Sequence, residues 1–161
     1  MLNFIAEKIF DKWCNLKFSK REIALDYILK FSGKWYIWGG KAPIDFDCSE
    51  LACEYCRALG GIGRNDDFVA EQLSKMFPKI DTPQRGCLVF FKNQDGRIIH
   101  VEIMLNSELS IGASGGGSDV TTIEKAMEKD AFVKVRSIKG RENAIAGFRN
   151  PFIGGGFGAV G

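Results

Sequence analysis

The hydrophobic positions follow a helical period in the first half of the chain. Apolar residues recur at helical spacing over residues 20–31 and from Cys48 to Leu59, where Gly60 ends the pattern. A third, shorter helix is expected before Pro78. Residues 3–17 also place their apolar side chains near one face, which predicts a short amphipathic helix at the start of the chain.

The second half consists of short apolar segments separated by turn signals such as Asn93–Gly96. This pattern predicts strands at 87–91, 98–105, 110–114, 131–138 and 144–148, with one helix up to Lys129 between the third and fourth strands. Helices followed by a meander of strands predict an α+β fold with an antiparallel sheet.

The chain has 161 residues, of which 45% are hydrophobic, and this size is typical of a single domain. We assign residues 19–150 to that domain and residues 1–18 to an N-terminal helical extension. Residues 151–161 form a glycine-rich C-terminal tail, which is a candidate for docking on a partner.

Charge and cysteine content exclude several classes of protein. The net charge of +2 is too small to indicate nucleic-acid binding, and no apolar run is long enough for a membrane span. Glu7 and Lys8 interrupt the N-terminal apolar residues, so we expect no signal peptide. Five cysteines, an odd number, suit synthesis in the reducing cytoplasm. A single histidine excludes two-histidine metal sites, and we expect neither a metal nor a cofactor.

One cysteine and the single histidine stand in positions suited to catalysis. Cys48 begins a predicted helix, whose free backbone amides stabilise a thiolate. His100 lies in the middle of a predicted strand, a rigid support for a general base. Buried cysteines and strand histidines are also common as plain structural residues. The residues alone therefore leave both interpretations open.

Four ordered motifs resemble those of the NlpC-type peptidoglycan endopeptidases, which are papain-like cysteine peptidases. The resemblance extends over about residues 20–150 and implies a papain-like fold with the nucleophilic cysteine at a helix N-terminus. The motifs are Tyr36-Ile-Trp-Gly-Gly40, Phe46-Asp-Cys-Ser49, Gly86-Cys-Leu-Val-Phe-Phe91 and His100-Val-Glu-Ile103.

The resemblance implies a role for each matching residue. Cys48 matches the nucleophile and His100 the base. Tyr36 matches an aromatic residue whose hydroxyl lies near the oxyanion site. Asp47 and Ser49 match residues that hold the free amine of a terminal L-Ala.

The chain departs from this pattern at the residue that orients the base. The family usually has His, Asn or Gln about twelve residues after the base, but this chain has Gly112 there. Ser114 and Glu102 share the face of His100 by strand alternation. We rank Ser114 first and Glu102 second as the third member, with both as plain packing residues left as an alternative.

The expected function is a cysteine peptidase that cuts peptidoglycan stem peptides, at the bond from γ-D-Glu to a diamino acid. Gly112 motivates one alternative, a weak or inactive binding module on the same fold. Glu50, where the family commonly has Gly, is expected to place a negative charge near the cleft. It motivates a second alternative, amidase or acyltransferase chemistry. A cell-wall substrate without an export signal suggests a phage tail-associated or lysis-released protein, docked in its assembly by the C-terminal tail.

Overall fold

The computed structural model describes residues 19–152. The predicted helix at 3–17 and residues 153–161 of the glycine-rich tail lie outside the described residues. The proposed boundaries of the N-terminal extension and of the tail therefore stay predictions.

The described residues contain four α-helices, and the two long helices expected from the periodicity are confirmed. The third helix is also present before Pro78; it begins at Ala70, because Val69 is extended and acts as its N-cap. The helices are α1 (Lys20–Leu29), α2 (Cys48–Leu59), α3 (Ala70–Met76) and α4 (Ile123–Glu128), and a short 3₁₀ helix covers Glu142–Ala144.

Six antiparallel strands form one sheet, which confirms the α+β prediction. The first strand has only two residues and was not predicted from the sequence, since two residues carry no periodicity. The strands are β1 (Lys79–Ile80), β2 (Leu88–Lys92), β3 (Ile98–Met104), β4 (Leu109–Ser114), β5 (Phe132–Ser137) and β6 (Ile145–Arg149), in the sheet order β1-β6-β2-β3-β4-β5.

Both faces of the sheet are covered near its centre. Leu88 and Phe90 of β2 belong to the main core beneath the helices, whereas Val89 and Phe91 belong to a smaller cluster on the opposite face. Alternate residues of β2 are therefore buried on opposite sides. This double burial explains why β2 reads as an unbroken apolar run.

Helix α2 packs against β3 and β4, and a hydrogen bond near its middle holds it to the segment before β2. The buried hydroxyl of Tyr55 donates a 2.9 Å hydrogen bond to the carbonyl of Gly86, just before β2. At the other end, Gly60 adopts the left-handed conformation that ends the helix. The N-terminus of α2 is thereby held beside β3. No helix among residues 19–152 has the length and apolar character needed to cross a bilayer.

Candidate active site

The N-terminus of α2 carries the candidate nucleophile, and Asp47 caps it. One carboxylate oxygen of Asp47 accepts hydrogen bonds from the Glu50 amide and the Ser49 hydroxyl, both at 2.8 Å. The other accepts the Gly39 amide at 3.1 Å. Asp47 thus ties the helix start to the preceding loop and holds Cys48 at the first helical position.

A cleft of about 620 Å³ brings the predicted site residues together. Cys48 from α2 and His100 from β3 face each other across it, although 52 positions separate them in the sequence. The other predicted residues that line the same cleft are Tyr36, Asp47, Ser49 and Ser114.

His100 contacts two groups that stabilise its charged form. Its side chain faces the Cys48 thiol across the cleft, and Nε2 lies 3.0 Å from a carboxylate oxygen of Glu102. Burial alone would lower the pKa of His100, but the contacts with Cys48 and Glu102 outweigh it and raise the pKa to about 9. An imidazolium at neutral pH is the partner that a catalytic thiolate requires.

The structure places Glu102, the second-ranked candidate, against the imidazole, whereas the first-ranked Ser114 bonds to Glu102. The hydroxyl of Ser114 donates its hydrogen bond to Glu102, at 3.1 Å, and not to His100. Glu102 is the residue that touches the imidazole. The absence of a side chain at Gly112 allows this contact, because a Cβ there would lie 2.5 Å from the Glu102 Cγ. The side chain of Glu102 fills the space that a larger residue at 112 would need.

Glu102 is fully buried and strongly hydrogen-bonded. Arg141 donates to both of its oxygens at 2.9 Å, and the Ser110 hydroxyl donates at 2.5 Å. Burial alone would raise the pKa of Glu102, but hydrogen bonds from His100 and Arg141 hold it well below its usual range. Sequence reasoning did not find Arg141, which lies in a loop 39 residues after its partner.

The part of the chain that forms this cleft matches a protein-family model. The model described as the NlpC/P60 family matches residues 33–137, which is more than half of the chain and includes both Cys48 and His100. The chain belongs to the NlpC/P60 family. This confirms the resemblance seen in the motifs. At the level of the family, it supports peptidase chemistry.

One bacterial relative is similar over most of this chain. Dipeptidyl-peptidase 6 of Lysinibacillus sphaericus is 33% identical over 117 residues, which is 72% of this chain and 39% of that protein. The chain therefore spans well under half of that relative's length.

Solved NlpC/P60 structures share the fold. A lipoprotein-like NLP/P60 protein of Staphylococcus aureus superposes with a TM-score of 0.64 at 23% identity, over 83% of this chain and 41% of that one. The NlpC/P60 domain of the peptidoglycan hydrolase SagA gives a TM-score of 0.54 at 24% identity, over 79% of this chain and 95% of that one. At these identities the likeness shows the fold, and it confirms the papain-like architecture.

Glu50 does not lie where the sequence analysis expected it. It accepts hydrogen bonds from Arg57 at 2.9 Å and from the Ala42 amide at 3.2 Å, and it lines a separate cavity of about 1230 Å³. Two residues along a helix rotate a side chain by about 200°, so Glu50 points away from Cys48. Its charge is paired outside the NlpC/P60 cleft, and this removes the observation that motivated amidase or acyltransferase chemistry.

No group of three metal-binding side chains is placed to hold an ion within residues 19–152. The buried Cys53 and Cys56 lie inside α2, where burial raises the pKa of both thiols, that of Cys53 to about 11. These thiols belong to the main core, between the helices and the sheet.

Tyr36 forms one wall of the cleft and depends on a glycine for its position. Its pKa is raised, first by burial and then by the nearby Cys48 and Asp47. A Cβ at Gly116 would lie 2.1 to 2.6 Å from atoms of the Tyr36 ring. The ring therefore packs directly on the backbone of the loop after β4.

We expect Gly116→Ala to lower the free energy of unfolding by about 1–3 kcal/mol, because the new methyl group overlaps the buried Tyr36 ring. Gly117→Ala is the matched control, since its Cβ would meet only a carboxylate oxygen of Asp119 at 3.4 Å. Urea unfolding followed by tryptophan fluorescence measures both variants. Equal midpoints for the two would contradict the close packing.

Proposed function

We propose that this protein is a cysteine peptidase that hydrolyses stem peptides of peptidoglycan, with Cys48 as the nucleophile and His100 as the base. The observation that carries the proposal is the pairing of Cys48, at the start of α2, with an imidazole that Glu102 holds from behind. A buried cysteine with a purely structural role needs no such partner. The filled space at Gly112 also removes the main reason to expect an inactive module.

In the first step the Cys48 thiolate attacks the carbonyl carbon of the scissile amide, and the C–S bond forms as the carbonyl electrons move to oxygen. The backbone N–H of Cys48 and the Tyr36 hydroxyl are the donors proposed for that oxyanion. The His100 imidazolium then gives its proton to the leaving nitrogen, and the C–N bond breaks. The products of this step are an amine and a thioester on Cys48.

In the second step His100, now neutral, takes a proton from water, and the hydroxide attacks the thioester carbonyl. The C–S bond breaks and the thiolate–imidazolium pair is restored. Glu102 keeps its contact with Nε2 throughout. The nitrogen of His100 that faces Cys48 is therefore the one that carries the proton in both steps.

One charge in the cleft suits a substrate that carries a free carboxylate. Arg136 is the one Lys or Arg among the described residues that line the cleft, and no described side chain pairs with it. The carboxylate of Glu71, on the opposite wall, is already paired with Lys75 at 2.8 Å. Stem peptides carry free carboxylates next to the proposed scissile bond, and Arg136 is placed to bind one of them.

Relatives support the choice of cell-wall peptide. SagA is named as a peptidoglycan hydrolase, and so is RipB from Mycobacterium tuberculosis. The Lysinibacillus sphaericus relative is named as a dipeptidyl-peptidase. The bond that we propose is the one from γ-D-Glu to the diamino acid. Asp47 retains room to accept a substrate amine, since one of its oxygens accepts only the Gly39 amide among described donors.

The test is to incubate the purified protein with defined muropeptides and to identify the products by mass spectrometry. A new fragment that begins with the diamino acid, with L-Ala-γ-D-Glu left on the other product, supports the proposed bond. Release of the intact stem peptide, by cleavage at the sugar–lactyl amide, would show amidase activity and contradict the proposed peptide bond. Binding without cleavage over a wide pH range would instead support the binding-module alternative.

Replacing Arg136 with Ala is expected to raise KM for a muropeptide about tenfold while kcat changes little, because the guanidinium binds the peptide in ground and transition states alike. Arg64→Ala is the control, since Arg64 lines the separate cavity. Steady-state kinetics on a muropeptide measure both. An unchanged KM in Arg136→Ala would show that the substrate carboxylate is bound elsewhere.

We also propose that the protein reaches the cell wall on a phage tail or by release on lysis, and that its C-terminal tail docks it in the assembly. Most of that tail lies outside the described residues. Immunoblots of purified virions and of lysates test the proposal. If the protein is found in neither, the proposed delivery is wrong, and the peptidase proposal is unaffected.

A further inference from the structure

We propose that Arg141 is a positioning residue for the catalytic pair: it clamps Glu102 into the space beside Gly112, and Glu102 in turn orients His100. The catalytic meaning of this inference rests on the proposed function. The geometry itself, a chain of contacts from a loop to the base, is independent of the substrate.

Arg141 is held from several sides, so that its guanidinium has a defined position. Its two Nη atoms donate to the two oxygens of Glu102 at 2.9 Å, and its Nε donates to the Ser137 carbonyl at 2.9 Å. The guanidinium also lies over the Phe91 ring, 4.6 Å from the ring centre. The two parallel bonds from the Nη atoms to the carboxylate oxygens fix both distance and plane, which a single contact does not.

The carboxylate needs this partner because it is fully buried. It faces His100 on its own strand, the hydroxyls of Ser110 and Ser114 on β4, and Arg141 from the loop after β5. On β2 its register partner is Val89, which carries no charge.

Two further cations lie on β5, on the same face of the sheet by register with β4. Lys134 is engaged with Asp130, and Arg136 has no described partner. Arg141 is therefore the cation that compensates Glu102 whenever His100 is neutral. A buried carboxylate without a cation would be strongly unfavourable.

The contact between Arg141 and Glu102 determines which nitrogen of the His100 imidazole exchanges protons with Cys48 and the substrate. With Glu102 fixed as an acceptor, Nε2 keeps its proton and the other ring nitrogen is directed to Cys48. The family pattern assigns this task to a side chain at the position of Gly112. Here the carboxylate comes from β3 itself, two residues after the base, and a cation from a distant loop holds it in place.

The experiment compares Arg141→Met, Arg141→Lys and Glu102→Gln with Arg64→Met as the control for loss of a surface cation. We expect Arg141→Met to lower kcat by about 100-fold with little change in KM, as for a small misplacement of a catalytic group. Arg141→Lys, which keeps the charge but loses the paired geometry, should recover part of that loss.

The pH profile separates positioning from stability. Removing Arg141 raises the pKa of Glu102, so the acid limb of kcat should move to higher pH. Glu102→Gln removes the charge that favours the imidazolium, so the alkaline limb should fall from near pH 9 to lower pH. A residue that only stabilised the fold would reduce the amount of folded enzyme without moving either limb.

A spectroscopic measurement makes the test independent of the substrate. His100 is the single histidine of the chain, so one ¹⁵N imidazole pattern reports its tautomer and titration without assignment. The Nε2–H tautomer should dominate in the neutral form of the wild type and be lost or mixed in Glu102→Gln and Arg141→Met.

The outcomes separate the two proposals. If the wild type cleaves no muropeptide but its tautomer and the rate of Cys48 alkylation still depend on Arg141, the positioning role stands and the proposed substrate is wrong. If Arg141→Met folds and leaves kcat, both pH limbs and the tautomer unchanged, the positioning role is overturned. Should Arg141→Met fail to fold, Arg141→Lys decides by the same criteria.

Discussion

Replacing Cys48 with Ala is expected to lower kcat on muropeptides by on the order of 10⁴-fold or more. The reaction passes through a thioester, and Cys48 carries the one thiol among the described residues that line the cleft. The fold should survive, because the variant removes one sulfur from a residue that lies at the edge of the core. Mass spectrometry of muropeptide digests measures the remaining rate.

The other described cysteines provide the control. Cys53, Cys56 and Cys87 are buried, and burial raises the pKa of each thiol. Cys53→Ala removes a sulfur from the same helix, where the thiol donates a hydrogen bond to the Phe68 carbonyl at 3.4 Å. This variant should keep kcat within about twofold of the wild type, since Cys53 does not line the cleft.

Thiol alkylation offers a second check that needs no substrate. At neutral pH iodoacetamide should label Cys48 before Cys53 or Cys56, since thiolates react and the buried thiols stay protonated. Labelling should slow when His100 is replaced by Ala. Undiminished cleavage by Cys48→Ala, or uniform labelling of all thiols, would contradict the assignment of Cys48.

Periodicity predicted most of the fold because long elements repeat their pattern several times. Helices α1 and α2 and strands β2 to β6 appear close to their expected bounds. The two-residue strand β1 pairs with β6 through Lys79 and Ile80 alone, and such a pairing depends on tertiary contacts rather than on a local pattern. The resemblance, rather than the periodicity, led to the papain-like arrangement.

Strand alternation predicted which residues share the face of His100, but it did not predict that Glu102 rather than Ser114 hydrogen-bonds with the imidazole. Strand alternation places Ser114 and Glu102 on the same side as His100, but alternation carries no information on reach. The distance is decided by the absence of a side chain at Gly112 and by Arg141, which enters from a loop. Loop residues have no period, so the sequence contained no signal for Arg141.

A larger residue at 112 is expected to impair both stability and activity. The Cβ of Gly112→Ala would lie 2.5 Å from the Glu102 Cγ, and Glu102 is held by His100, Arg141 and Ser110. The carboxylate must therefore shift or the strand must move. We expect a loss of about 1–3 kcal/mol in the free energy of unfolding. We also expect kcat to fall about 100-fold, as for a small misplacement of the base.

Gly61→Ala is the control, because its Cβ would make only ordinary contacts, the nearest at 3.5 Å to the Cys56 carbonyl. Urea unfolding and muropeptide kinetics measure both variants. Wild-type kcat in Gly112→Ala would show that Glu102 tolerates displacement and does not orient His100.

The same geometry predicts a rescue. In a Glu102→Ala background the space beside residue 112 is free, and Gly112→Asn places an amide oxygen where it can accept Nε2–H of His100, as in the family pattern. Arg141 keeps the Ser137 carbonyl at 2.9 Å and the Ser110 hydroxyl at 3.3 Å as acceptors. The double variant should therefore exceed Glu102→Ala in kcat by about tenfold, whereas Gly112→Asn alone should resemble Gly112→Ala. Additive losses in this cycle would contradict a shared site for the two side chains.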